Sequence, residues 1–311
     1  MQPNRWYTPY LLAGPAVLWV LVFSLWPFLN TVVLSFTNAR PLQPATLVWF
    51  DNYQKLFDDE MFRYAIVNSF IYALACVPLL TFLPLFLAML VQRVIPGIGF
   101  FRTTAYFPVV ASVVVVSIIW GWLFESRGVI NGALKALGIQ PVDFLIYREW
   151  ILFTAVTLTV WKGIGYYMVI YLAALGSVNK ELYEAAALDG AGWWRRFWTV
   201  TVPGVKGAIL LISALITVAA IRVFSELYVL TGGNGGPGGH ATSIVMYVKQ
   251  VGSGLSGRLG YASAVSVALF FLTIGPLLLV GYINQKDEIR DALRVRKLTR
   301  AQRRKMKAGA Q

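Results

Sequence analysis

The sequence predicts an all-α integral membrane protein with six transmembrane helices, and three observations carry that reading. Apolar residues make up 58% of the 311-residue chain and charged residues 13%, whereas soluble domains sit near ~45–50% and ~25%. With a mean hydropathy of +0.64, there is too little polar surface to cover a water-soluble core, so lipid must be the second solvent. The apolar residues gather into six runs, each long enough to cross about 30 Å of hydrocarbon at ~1.5 Å per helical residue. Lys and Arg are unevenly shared between alternate connecting segments, as the excess of positive charge in cytoplasmic loops requires.

Taken in order, residues 1–9 lead into an uncharged first span at 10–35. Its apolar stretch is too long for a cleavable leader and no A-x-A site follows, so it is expected to be retained. A loop of mixed charge, 36–64, precedes an uncharged second span, 65–91. Residues 92–104 return the chain to an uncharged third span, 105–124. A second mixed loop, 125–150, leads to the fourth span, 151–176, whose one charge is Lys162. The segment 177–207 then connects to a fifth span, 208–230, holding Arg222 and Glu226. A glycine-rich loop, 231–259, an uncharged sixth span, 260–284, and a basic tail, 285–311, complete the chain. Open strands would leave backbone groups unpaired in lipid, so every span is read as a helix. Pro15, Pro27, Pro78, Pro84 and Pro276 fall inside spans, where neighbouring helices can satisfy the groups they free.

With the N-terminus cytoplasmic, the inner side receives Arg5, Arg93, Arg102, Lys180, Arg195, Arg196, Lys206 and the ten cations from Lys286 to Lys307. Six crossings return the C-terminus to that side. The tail accounts for most of the net charge of +13, so nucleic acid is not needed as a partner. Such a tail is expected on anionic headgroups, or as a solvated helix with no specific partner.

The inventory of reactive groups is sparse. Cys76 is the only cysteine and His240 the only histidine, so an intrachain disulfide is excluded and a metal site or catalytic triad is not expected. His240 is expected as a solvated loop residue. Charges inside a membrane are expensive and usually face a cavity or a partner. Arg222 and Glu226 lie one turn apart and can neutralise each other, or line a translocation path. Lys162 has Trp161, Tyr166 and Tyr167 as neighbours, a set of ring faces and donors that suits a polyol; a phosphorylated solute would suit Lys162 and Arg222. In the loop at 231–259, Gly232, Gly233, Gly236 and Pro237 belong to a run that lacks the G-K-[ST] ending of a phosphate loop. The run is expected either to need unusual backbone angles or to dock an external partner.

The inner segment 177–207 carries the most information. Glu181–Leu188 holds strong helix formers, Asp189-Gly190 is a turn signal, and Trp193–Thr201 can form a second helix before Pro203. Trp193 and Phe197, and Trp194 and Trp198, are paired at i,i+4. The small residues Ala185, Ala186, Gly190 and Ala191 would let another surface approach closely.

Glu184-Ala185-Ala186, then Asp189-Gly190-Ala191, Phe197 and Pro203 resemble the EAA signature of permease subunits of binding-protein-dependent ABC importers. Val200 and Val202 stand where Ile and Leu are usual, and Gly207 where a second proline is common. The run Phe224…Tyr228-Val229-Leu230-Thr231-Gly232-Gly233 with Gly236-Pro237 is similar to that of the first membrane subunit of maltose and glycerol-3-phosphate type systems. Asn52-Tyr53, Phe101-Arg102, Gly260-Tyr261-Ala262 and Trp161-Lys162 also look like that subfamily. The resemblance implies a MetI-like fold with its core over about 65–284, in a bacterial or archaeal cell membrane. It implies a non-enzymatic chain that takes up a sugar, oligosaccharide or glycerol-phosphate-like solute by alternating access. It further implies a second permease subunit, an extracytoplasmic solute-binding protein, and a separate ATPase dimer that holds ATP and Mg2+ and receives the loop 181–203 as a coupling helix. Glu184 would meet that ATPase and Gly190 would permit the turn. Trp193 and Trp194 would anchor it, or anchor the chain at the membrane interface. The EAA signature is shared, so an amino-acid, peptide or metal importer is the alternative; a lipid-modifying membrane enzyme would need a polar cluster that the sequence lacks.

Overall fold

The computed structural model describes residues 7–93, 95–278, 281 and 282. The basic tail and Arg5, on which the expected sidedness partly rests, lie outside the described residues. Among the described residues six helical stretches are long and apolar enough to cross a membrane, and β-pairing is limited to two isolated bridges.

The first span, α1 (Tyr10–Ser35), has no buried residue in its most apolar stretch. It touches the last helix through Phe28 and Phe270, whose rings lie 5.0 Å apart. Its end is tied to the short helix α2 (Asp51–Asp58) by Asn52, whose amide donates to the carbonyls of Ser35 and Thr37, both at 2.8 Å. The core is built around α3 (Glu60–Val91). The third span is split into α4 (Ile98–Val110) and α5 (Val113–Phe124), because Ala111 and Ser112 are extended, with ψ of 142° and 132°. A short helix, α6 (Val129–Ala136), precedes the long α7 (Arg148–Gly176). The segment after α7 folds into α8 (Lys180–Leu188) and α9 (Trp193–Arg196). The fifth span is split as well, into α10 (Lys206–Ile221) and α11 (Ser225–Leu230). Helix α12 (Ile244–Gly252) and the last span, α13 (Leu259–Leu278), close the bundle.

Helices α3 and α7 run parallel and pack along their lengths, with α10 against α3, α4 against α7, and α11 between α5 and α7. Tyr72, Leu85, Leu158, Met168, Tyr171 and Ile212 are fully buried at these seams. Among the described residues two π-turns occur, at Leu21–Leu25 and Phe197–Thr201. Each ends two residues before a proline, Pro27 and Pro203. A proline ring clashes with the carbonyl four residues back, and a widened turn moves that carbonyl aside.

Polar side chains knit the end where α3 and α7 begin. Asn68 is fully buried; its amide donates to the carbonyls of His240 and Thr242 at 2.7 and 2.8 Å, and its Oδ1 accepts from Arg148 Nε at 2.7 Å. Asp59 caps α3 by accepting from the Phe62 N–H at 3.0 Å, and it accepts the hydroxyls of Tyr247 on α12 and Tyr261 on α13. Burial pulls the Asp59 carboxyl upward, but the Tyr247 and Tyr261 hydroxyls and the Phe62 and Met61 N–H groups outweigh it and hold it below its ordinary value. Burial first, and then the contact with Asp59, push the Tyr247 hydroxyl up.

Two outcomes follow from this end of the bundle. Asn68→Leu orphans the Thr242 and His240 carbonyls, the first of them buried, and should lower unfolding stability by about 3 kcal/mol, read as a fall in Tm of the purified protein in detergent. A carboxyl depressed in the folded state stabilises above its unfolded range and stops doing so as pH falls through its folded value. The wild type should therefore lose stability from near pH 4 downward, and Asp59→Asn should flatten that acid limb in a Tm-against-pH series.

Candidate functional site

A cavity of about 370 Å³ is lined by α3, α7 and the α10–α11 break, with Val109, at the end of α4, also on its wall. The break arises because Arg222 (φ −94°, ψ 18°) and Phe224 (φ −140°, ψ −63°) leave the helical region. Each break frees carbonyls inside an apolar bundle, and at each break one of them accepts from a side chain of another element. The Val109 carbonyl would ordinarily accept from Val113; the extended Ala111-Ser112 prevents this, and Lys162 Nζ donates to it instead at 3.0 Å. The Val223 carbonyl accepts from the buried Ser243 hydroxyl at 2.6 Å, and the same oxygen caps α12 at Met246 N.

Lys162, Tyr166, Tyr167, Arg222 and Glu226 all line this cavity, and Tyr72, Cys76, Thr159 and Phe224 join them. Tyr166 and Tyr167 meet edge to face at 5.1 Å, and the Tyr72 and Thr159 hydroxyls lie 2.5 Å apart. Trp161 stands elsewhere: it packs on Trp120 at 4.9 Å and lines the lateral face of the bundle. Helical spacing predicts this, since a neighbour on a helix is rotated by about 100° while Thr159, Lys162 and Tyr166 share one face.

The expected Arg222–Glu226 ion pair does not form. Among the described residues the ion pair found is Lys55–Asp51, at 2.6 Å. One-turn spacing brings two side chains together only on an unbroken helix, and the α10–α11 break lies between these two. Among the described residues Glu226 has no cation within ion-pair distance.

At the opposite end of α3, the segment after α7 forms an elbow. Asn179 caps α8, its Oδ1 accepting from Glu181 N at 3.0 Å. Gly190 has φ of +72°. Its N–H donates to Ala187 O at 3.0 Å, and the Ala191 N–H donates to Ala186 O at 2.9 Å. This crossed pair is a Schellman motif, and its left-handed position selects glycine. Glu184, Ala185, Asp189 and Gly190 are exposed and Ala186 half-buried, whereas Ala191 is folded inward and buried. Phe197 is 1% exposed and stacks on Phe86 of α3 at 5.0 Å. Trp193 and Trp194 stack on Phe197 at 5.9 and 5.6 Å while staying more than half exposed. Pro203 is exposed at the start of the one-turn helix Val202–Gly204.

The glycine-rich loop is packed down on the bundle. Gly232, Gly233 and Gly236 all have positive φ. Gln250 Nε2 donates to Gly233 O at 3.2 Å, Lys249 Nζ sits 3.7 Å over the Tyr228 ring, and a Cβ on Gly236 would meet Ile151 at 2.7 Å. Pro237 is exposed at the loop tip. His240 is exposed, yet stacks on Tyr64 at 4.5 Å.

Residues 141–286 match the family described as binding-protein-dependent transport system inner membrane component. The chain is 32% identical to the lactose transport system permease protein of Rhizobium radiobacter, over 85% of this chain and 89% of that one. The chain belongs to this permease family. An arabinooligosaccharides transport system permease protein of Halalkalibacterium halodurans is 31% identical over 90% of each chain. A solved bacterial ABC transporter involved in the import of the acidic polysaccharide alginate superposes with a TM-score of 0.78 at 25% identity, covering 90% of this chain and 96% of that one. The protein is thus a multi-pass membrane component of a binding-protein-dependent ABC importer, a transport subunit and not an enzyme.

The permease geometry separates Lys162 from its neighbour Trp161. Lys162→Ala should reduce solute uptake at least tenfold, because it strips the cavity of a charge and orphans Val109 O, whereas Trp161→Ala should stay within twofold of wild type. Transport into proteoliposomes containing the assembled importer measures both.

Proposed function

We propose that this permease forms half of the pathway for a sugar, oligosaccharide or glycerol-phosphate-like solute. The observation that carries the reading is the cavity at the two span breaks, where Tyr166, Tyr167 and Phe224 supply ring faces and Lys162, Arg222, Glu226 and Thr159 supply donors and acceptors. Sugars bind through that combination of apolar ring face and directed hydrogen bonds. Relatives named for lactose and arabinooligosaccharide transport support the class of solute.

The other half of the pathway is a second, homologous permease subunit. An extracytoplasmic binding protein delivers the solute at the end of the bundle carrying Gly232, Gly233, Gly236 and Pro237. The elbow at 181–203 lies on the cytoplasmic side, where both termini also lie, and docks on a separate ATPase dimer. ATP and Mg2+ bind there, since this chain has no Walker motif. Exposed Glu184, Ala185, Asp189 and Gly190 form the docking face, and Leu188, 90% exposed, offers an apolar anchor. Trp193 reaches Phe86 on α3 directly and Trp194 reaches it through Phe197, and other residues of α3 line the cavity. Force applied to the elbow therefore reaches the solute site through a stack of rings and one rigid helix. Alternating access follows as rocking of the two halves about that site.

Gly190→Val tests the docking assignment. A β-branched side chain at φ +72° costs about 1–2 kcal/mol and opens the elbow without touching a span. Membrane insertion should be unchanged, and ATP-driven uptake and ATPase co-purification should each fall at least tenfold. Wild-type uptake in this variant would refute the assignment.

A further inference from the structure

A groove of about 620 Å³ runs down the lateral face of the bundle between the parallel helices α3 and α7. Its floor is a stripe at helical spacing, Ile71, Ala75, Leu79 and Leu83 of α3, facing Val156 and Ile164 of α7. Ile71 to Leu83 spans about 18 Å at the helical rise, close to the ~15 Å depth of one leaflet's hydrocarbon. The groove lies outside the solute cavity and shares none of its lining residues.

Its upper end is charged. Arg148 lines both this groove and an adjoining hollow of about 280 Å³, where Glu60, Arg63, Tyr64 and Val67 continue the same α3 face. The Arg148 guanidinium is fixed on one side by its Nε bond to Asn68 Oδ1 and lies 5.6 Å over the Tyr64 ring. Its Nη2 atom is buried and has no hydrogen-bond partner. Neither Arg148 nor Arg63 has a carboxylate within ion-pair distance among the described residues, although Glu60 and Glu149 border the site. A held guanidinium with a buried, unused donor costs free energy until an anion meets it.

We propose that this groove binds one glycerophospholipid, its acyl chain along the α3 stripe and its phosphodiester on Arg148 and Arg63. A phosphodiester accepts from both the Arg148 Nη2 donor and the Arg63 side chain, and a chain one leaflet long fills the apolar channel below it. An apolar protein segment would cover the channel and leave the Arg148 donor unmet, so the charge at the groove's head selects the lipid.

The test places a photoreactive residue at Ile71 in the assembled importer, with Leu211 on α10 as an exposed control. Illumination in vesicles of phosphatidylethanolamine and phosphatidylglycerol should give a lipid adduct at Ile71. Its yield should fall at least fivefold with Arg148→Gln, with the groove-filling Ala75→Phe, and in vesicles of a phosphate-free glycolipid, while the Leu211 yield stays unchanged. Ala75→Phe leaves the Arg148–Asn68 bond intact, so it decides the matter if Arg148→Gln fails to fold. Trapping of a protein segment at Ile71, or a lipid yield indifferent to Ala75→Phe and to the missing phosphate, would overturn the proposal.

Discussion

A backbone carbonyl released inside an apolar bundle must find a donor, and the architecture of this permease depends on two places where that demand is met by a side chain from another element. Lys162 on α7 reaches Val109 at the break of the third span, and Ser243, capping α12, reaches Val223 at the break of the fifth. Without those donors both spans would be driven to continue as regular helices, and the space between them would close. The cavity is therefore a consequence of broken helices whose loose ends are satisfied from outside. The Lys162 ammonium also places its charge on the cavity wall, so one side chain holds the shape of the site and contributes to its chemistry.

The elbow follows the same logic in a different setting. The Schellman turn at Gly190 and the π-turn before Pro203 are local solutions to a helix end and a missing N–H. Together they fold Ala191 and Phe197 inward and turn Glu184, Ala185 and Leu188 outward. Phe197 is the buried member of the cluster, in ring contact with Phe86 of α3 and with both exposed tryptophans, while Trp193 also stacks on Phe86 directly. The helix carrying Phe86 also carries Tyr72 and Cys76 into the cavity wall. A rigid element thus joins the surface that would receive force to the site that would respond to it.

Much of this was legible in the sequence, for identifiable reasons. Uncharged runs of spanning length announce themselves, and Asp189-Gly190 marks the elbow because only a left-handed residue ends the helix that way. Lys162 stood out because a charge in an apolar run needs a reason. The breaks were hidden: Ala111-Ser112 and Arg222-Val223-Phe224 contain neither glycine nor proline, and tertiary bonds from Lys162 and Ser243 stabilise them. That hidden break is also why pairing Arg222 with Glu226 by one-turn spacing failed. The cavity roles of Tyr72 and Thr159, by contrast, could have been found from helical spacing alone, because each shares a face with a polar neighbour.

The central claim is that solute passes through the space between the broken spans. Ala219 lines that space with a small, exposed side chain, so Ala219→Trp fills it without disturbing Lys162 or Ser243. Uptake by the reconstituted importer is the measurement. The account predicts loss of transport with basal ATP hydrolysis and Tm retained; transport at the wild-type rate through the filled cavity would contradict it.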